Sequence, residues 1–173
     1  MPANPGALST TPPAHDLPYP EAILVAMLPV TDIAASARFY TRLLGLTVLR
    51  EFVHDGRVTG CSLSHPRAGF ALGLRLRASL AGLADLSGEH PIIWRVRDTA
   101  ALERYRTHAE ALGLTPTSRR HDDADLVAVV DPDGIDVLVG IPSRPWDRFQ
   151  GYELAADGYR RSHERPLLVG DHS

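Results

Sequence analysis

Apolar and polar positions alternate in two rhythms along the chain, and the rhythms switch twice in the same order. Ala22 to Val30 is an apolar run of strand length, followed by Thr31-Asp32. Asp32 carries a side-chain oxygen able to cap a helix. From Ile33 to Leu44 the period is helical, with Ile33, Ala37, Tyr40 and Leu44 on one stripe and Phe39 and Leu43 beside it. Gly45 ends it, since glycine accepts the left-handed conformation that closes helices. The plan recurs from Ile92: a strand, the cap Asp98, a helix over Thr99 to Leu112, and the stop Gly113. After each helix the period drops to two. Thr47–Val53, Arg57–Ser64 and Phe70–Leu76 are predicted strands of the first unit. Thr115–Arg120, Leu126–Val130 and Ile135–Ile141 are those of the second. Turns fall between them at His54-Asp55-Gly56, His65 to Gly69 and Asp131-Pro132-Asp133-Gly134. A strand–helix–three-strand module used twice is the prediction.

The boundaries follow. Residues 1–20 hold six prolines among small polar residues, a composition that suits a flexible tail. Residues 21–142 are one α+β domain, with modules 21–77 and 90–142, joined by a linker whose Leu80, Leu83 and Leu86 suit a short helix. Residues 143–173 form a C-terminal arm, partly ordered with a helical turn. It is read as a surface tail, with a lid or a clasp on a second subunit as the alternatives.

Composition narrows the class. At 173 residues and 44% hydrophobic content the chain can bury a core. A net charge of −3 implies no pull on nucleic acid or an anionic membrane. No apolar run is long enough to span a bilayer, and the N-terminus lacks a secretory signal. The single cysteine, Cys61, excludes a disulfide framework and suits a reducing cytoplasm. It reads as a small buried hydrophobe rather than a nucleophile.

Val30-Thr31-Asp32 with Phe39-Tyr40, Leu43-Leu44-Gly45-Leu46, Trp94 to Asp98, and Asp131 to Gly134 entering the last strand together resemble the vicinal oxygen chelate superfamily. That superfamily includes glyoxalase I, extradiol dioxygenases, fosfomycin-resistance enzymes and bleomycin-binding proteins. The resemblance implies paired βαβββ modules whose curled mixed sheets enclose a shared cavity, commonly in a homodimer. It also implies, for catalytic members, a divalent metal held by His, Glu or Gln from the first and last strands of each module. Counting from the motifs puts those positions at Val25, Pro91 and Leu138, with the fourth in Phe70–Leu76. Pro66 to Ala84 contains no His, Asp or Glu. No ligand set is present, so no metal and no cofactor is expected. A displaced site on His90 and Asp136 would need a register shift. The run Asp122, Asp123, Asp125 lacks the glycine and distal glutamate of a calcium loop and reads as a solvated turn.

Strand alternation then assigns the cavity. Val25 and Met27, Ile93 and Arg95, and Asp136 and Leu138 share the former ligand faces, with Leu72 or Leu74 from the fourth strand. Trp94 is assigned to the core. These are greasy walls with two polar anchors, Arg95 and Asp136, the usual make-up of a small-molecule site. Arg95 offers a fork to an oxyanion, and Asp136 an acceptor or a base. The alternative is that the two simply pair with each other. His54, beside Arg57 at the cavity mouth, is a third candidate for acid–base work.

The expected function is metal-free binding that sequesters an aromatic or polycyclic metabolite or antibiotic. The alternatives are a metal-independent isomerase, cyclase or hydrolase of secondary metabolism using Asp136, Arg95 or His54, then a metal-dependent lyase or dioxygenase.

Overall fold

Two four-stranded sheets are each backed by one helix, and within each module the strands lie side by side in the order first, fourth, third, second. The computed structural model describes residues 25–65, 67, 70–79, 84–121, 124–142, 151–155 and 158–163. In the first module β1 (Val25–Val30) leads through α1 (Ile33–Leu44) to β2 (Thr47–His54), β3 (Arg57–Ser64) and β4 (Ala71–Leu76). In the second, β5 (Ile93–Arg95) leads through α2 (Thr99–Ala111) to β6 (Thr117–His121), β7 (Ala124–Val130) and β8 (Asp136–Pro142). Each first strand pairs in parallel with the last of its own module, and all other pairings are antiparallel. The sheets are therefore mixed, in a glyoxalase-like pair of βαβββ modules.

The caps act as the residue types dictate. Asp32 accepts from the Ala35 amide at 2.9 Å, and Asp98 from the Ala101 amide at 2.8 Å. Gly45 closes α1 at φ 65°, where a Cβ would be strained.

The modules share one core. Leu28, Val30, Tyr40, Leu43, Leu63, Leu72 and Leu74 of the first pack with Ala109, Val129 and Val137 of the second. His108 of α2 donates from Nε2 to the Arg42 carbonyl of α1 at 2.7 Å. The Asp131–Gly134 turn reaches across to the first helix. Asp133 accepts from the Thr31 amide at 2.8 Å and the Thr31 hydroxyl at 2.6 Å, and Ser36 Oγ lies 3.2 Å from its other oxygen. The turn identified by its proline and glycine is thus also the tie between modules.

The segments outside the two modules stand as follows. A turn of 3-10 helix lies at Arg77–Ser79, and Leu80 and Leu83, on which the expected linker helix rests, lie outside the described residues. Among the described residues of the C-terminal arm, β9 (Gly151–Ala155) pairs antiparallel with β10 (Gly158–His163), a β-hairpin that the sequence reading did not anticipate. The residues read as an N-terminal tail, and Asp122 and Asp123, lie outside the described residues.

Candidate functional site

Each sheet spends one face on its helix, and period two sends the alternate side chains to the other. In the first sheet the helix side takes Leu28, Val30, Leu63, Leu72 and Leu74. The helix-free face takes Val25 and Met27, beside Ala71 and Gly73 of β4. Val25 is 44% and Met27 49% exposed, so these apolar side chains stand open to water. Gly73 leaves the room that Met27 fills; a Cβ there would strike the Met27 sulfur.

Leu72 and Leu74 were expected in the cavity, and the structure places them elsewhere. Both are fully buried among the side chains packed under α1. The fourth strand turns Ala71, Gly73 and Arg75 to the helix-free side instead. Arg75 holds its guanidinium 3.7 Å above the Phe52 ring, and Nη1 donates to the Leu74 carbonyl at 3.1 Å. Gly60 makes that possible, since a Cβ there would sit 2.7 Å from Arg75 Nη1. Arg50, opposite Ser62, completes this face and is exposed.

In the second sheet Trp94, Val127 and Val139 pack toward α2, with Leu102 and Tyr105. Trp94 is partly buried core, and the Phe70 ring lies 4.9 Å from it. The helix-free face carries a buried strip of Leu126, Ala128 and Leu138. Ile93 (51% exposed) stands open at its β5 edge, opposite Leu138. The two anchors do not meet. Arg95 sits opposite Gly140, whereas Asp136 lies four residues back along β8. Asp136 is buried and takes Arg119 Nη1 of β6 at 2.6 Å, so in place of the alternative Arg95–Asp136 pairing there is an ion pair that spans β7. Arg95 is exposed and has no carboxylate partner among the described residues. His54 ends β2 opposite Arg57, next to the hairpin turn, with its exposed ring 3.4 Å from Asp55.

Sequence reasoning missed Arg50, Arg75, Arg119 and Phe52. The signal was the alternation Gly73–Arg75 against Leu72–Leu74: in a half-buried strand the leucines belong to the core.

The residues do not fit a chelated metal. Val25, Leu138 and the β4 positions Ala71, Gly73 and Arg75 offer no ligand set, and Asp136 is committed to Arg119. His90 is exposed in the loop before β5. No group of three or more His, Cys, Asp or Glu converges among the described residues.

A separate cavity of about 420 Å³ opens on the helix side of the first sheet, between Ile33 and Ala37 of α1 and Val48, Val58 and Cys61. It belongs to neither helix-free face.

Buried polar groups cluster at the module junction. Burial, with Asp131 close by, pushes the Tyr40 phenol far up, so it remains a donor. Burial likewise raises the Asp131 carboxyl, opposed by hydrogen bonds from Ile135, Tyr40 and Asp133.

The fold has clear relatives among solved structures. A lactoylglutathione lyase from Agrobacterium tumefaciens is 23% identical, with a TM-score of 0.58 over 70% of this chain and 94% of that one. TnmS3, an antibiotic-binding protein from Streptomyces sp. CB03234, is 19% identical, with a TM-score of 0.51 over 70% and 96%. TioX from Micromonospora sp. ML1 is 16% identical, with a TM-score of 0.54 over 69% and 98%. At these identities the likeness is one of fold. A search of curated proteins finds no match. Residues 22–139 match the family model, and the chain belongs to the Glyoxalase/Bleomycin resistance protein/Dioxygenase superfamily.

Proposed function

We propose that this protein binds an aromatic or polycyclic metabolite or antibiotic without a metal, sequestering it against the helix-free faces of its sheets. One observation carries the reading: the positions where the family's metal ligands would fall hold Val25, Pro91 and Leu138, and the nearest carboxylate, Asp136, is neutralised by Arg119. What remains is apolar wall with arginines, suited to a guest held by contact and hydrogen bonding. The exposure of Val25, Met27 and Ile93 supports a second copy of the chain closing over these faces as a homodimer, because apolar surface of this kind usually marks an interaction site. TnmS3, a solved relative described as antibiotic-binding, supports the same use of the fold, and the lone cysteine suits a cytoplasmic setting. Asp136 as a catalytic base has less support, since its carboxylate is already paired.

Calorimetric titration of the purified protein with a panel of polycyclic aromatic compounds tests this, run before and after exhaustive chelation, with recovered ligand checked by mass spectrometry and the assembly by sedimentation. The expected result is binding that survives chelation, ligand returned unchanged, and a dimer. Loss of binding on chelation, or conversion of the ligand, overturns it.

A further inference from the structure

We infer that the guest is a planar aromatic anion, recognised by arginines segregated onto the helix-free faces. This rests on the proposed binding reading and goes further by fixing the sign of the ligand's charge.

The register assigns the faces. On the first sheet Arg50 stands opposite Ser62, and Arg75 opposite Gly60. On the second, Arg95 stands opposite Gly140, and Arg119 opposite Leu126. The alternate positions confirm the parity: Ser118, next to Arg119, accepts from Arg106 of α2 at 2.6 Å and so faces the helix. Glu51 stands opposite the buried Cys61 and lines the helix-side cavity. Asp125 likewise falls at the other parity from Leu126. Among the described strand residues, Asp136 is the one carboxylate on either helix-free face, and Arg119 consumes it. Arg50 and Arg95 are exposed with no carboxylate partner among the described residues.

A chain with a net charge of −3 thus turns a surplus of positive charge toward its proposed site. Charge sorted against the overall balance steers ligands of the opposite sign and repels those of the same sign. Shape comes from Arg75. Its guanidinium is stacked on Phe52 and tied to the Leu74 carbonyl, so a flat cation-on-ring platform is held in place before any ligand arrives. A fused aromatic ring can stack there and lie along Val25, Met27 or Ile93. A carboxylate, sulfonate or phenolate on its edge then meets a free fork at Arg50 or Arg95.

Three probes sharing one ring test this: anthracene-2-carboxylate, its carboxamide, and the corresponding anthracenylmethylammonium, each followed by fluorescence anisotropy. The carboxylate is expected to bind about tenfold tighter than the amide, and the ammonium weakest. The carboxylate's advantage over the amide should collapse toward unity in the Arg50→Gln/Arg95→Gln variant. If that variant does not fold, added salt on the wild type must erode the carboxylate's advantage in the same way. Equal binding of all three probes overturns the inference and leaves the binding reading standing. Tightest binding by the ammonium overturns the inference alone. Binding by none of them removes both.

Discussion

The Tyr40 hydroxyl donates to Asp131 Oδ2 at 2.8 Å, joining residues 91 apart in sequence through the buried seam between the modules. Asp131 Oδ1 also accepts the Asp133 and Ile135 amides at 2.8 and 2.9 Å. One carboxylate therefore shapes the turn before β8 and grips the first helix. Tyr40→Phe keeps the ring and deletes only the donor. It should cost about 1–2 kcal/mol in urea unfolding, the expense of leaving a buried acceptor short of one partner. Asp131→Ala should cost more, because the turn loses both amide contacts as well. Equal stability of Tyr40→Phe and wild type would show that the bond contributes nothing.

The same carboxylate predicts a pH dependence. Burial raises Asp131 above its ordinary value of 3.8. A group raised on folding favours the native state fully while it is protonated in both states. That contribution is lost as pH climbs from about 4 through the folded value. Wild type should therefore lose stability relative to Asp131→Asn as pH rises from 4 to 8, with a slope of at most about 1.4 kcal/mol per pH unit. Urea titrations of both proteins across that range measure the difference, in which the other carboxylates largely cancel. A flat difference, or one of opposite sign, contradicts the burial argument.

Much of this fold was legible because punctuation and period agreed. Asp32 and Gly45 bracket an amphipathic stretch, so α1 spans Ile33–Leu44 as read. β4 was harder, because no cap fixes its register. Leu72 and Leu74 satisfy the period on either face, and only the glycine and arginine between them reveal which side is the core. The Arg119–Asp136 pair was out of reach, since it links β6 to β8 diagonally over β7, a relation no local spacing encodes. In the arm, Asp157-Gly158 between Leu154 and Tyr159 was the neglected hairpin signal.

Gly140 and Gly73 occupy matching strands yet should respond differently to a methyl group. At Gly140 a Cβ would lie 2.7 Å from the Asp125 carbonyl oxygen of the paired strand and would also strike the Leu126 side chain. Backbone cannot retreat without disturbing the ladder. At Gly73 the obstacle is the end of Met27, a flexible and half-exposed chain that can swing away. Gly140→Ala should destabilise by about 1–3 kcal/mol, and Gly73→Ala by under about 1 kcal/mol. Thermal or urea unfolding of the two variants decides it, and the reverse order would refute the steric reading.

Cys61 should behave as core rather than as a nucleophile. Its sulfur is buried under α1, and burial raises the thiol above its usual 9.0, with Glu51 adding to the shift. Both effects withhold the thiolate, the reactive form. Labelling by an aromatic disulfide reagent at neutral pH should then wait on opening of the fold. An opening free energy of about 3 kcal/mol would slow it roughly a hundredfold against the urea-unfolded chain. Labelling at the unfolded rate would mean that the helix-side cavity admits the reagent to the sulfur.

The ion pair on the second sheet is asymmetric, and its two halves should not be equally replaceable. Asp136 is buried, whereas the Arg119 side chain is about half exposed. Arg119→Ala strands a carboxylate away from water with no compensating charge, which should cost about 1–3 kcal/mol. Asp136→Asn leaves an amide that still accepts from Arg119, and frees that guanidinium for a ligand anion. Its stability should stay within about 1 kcal/mol of wild type, and its affinity for anthracene-2-carboxylate should rise by a few-fold as the last carboxylate on the two faces is removed. Urea unfolding and anisotropy titration on the same preparations separate the effects. Weaker carboxylate binding by a stably folded Asp136→Asn protein would mean that Asp136 positions Arg119 for the ligand, so that the pair works as a unit and does not compete with the guest.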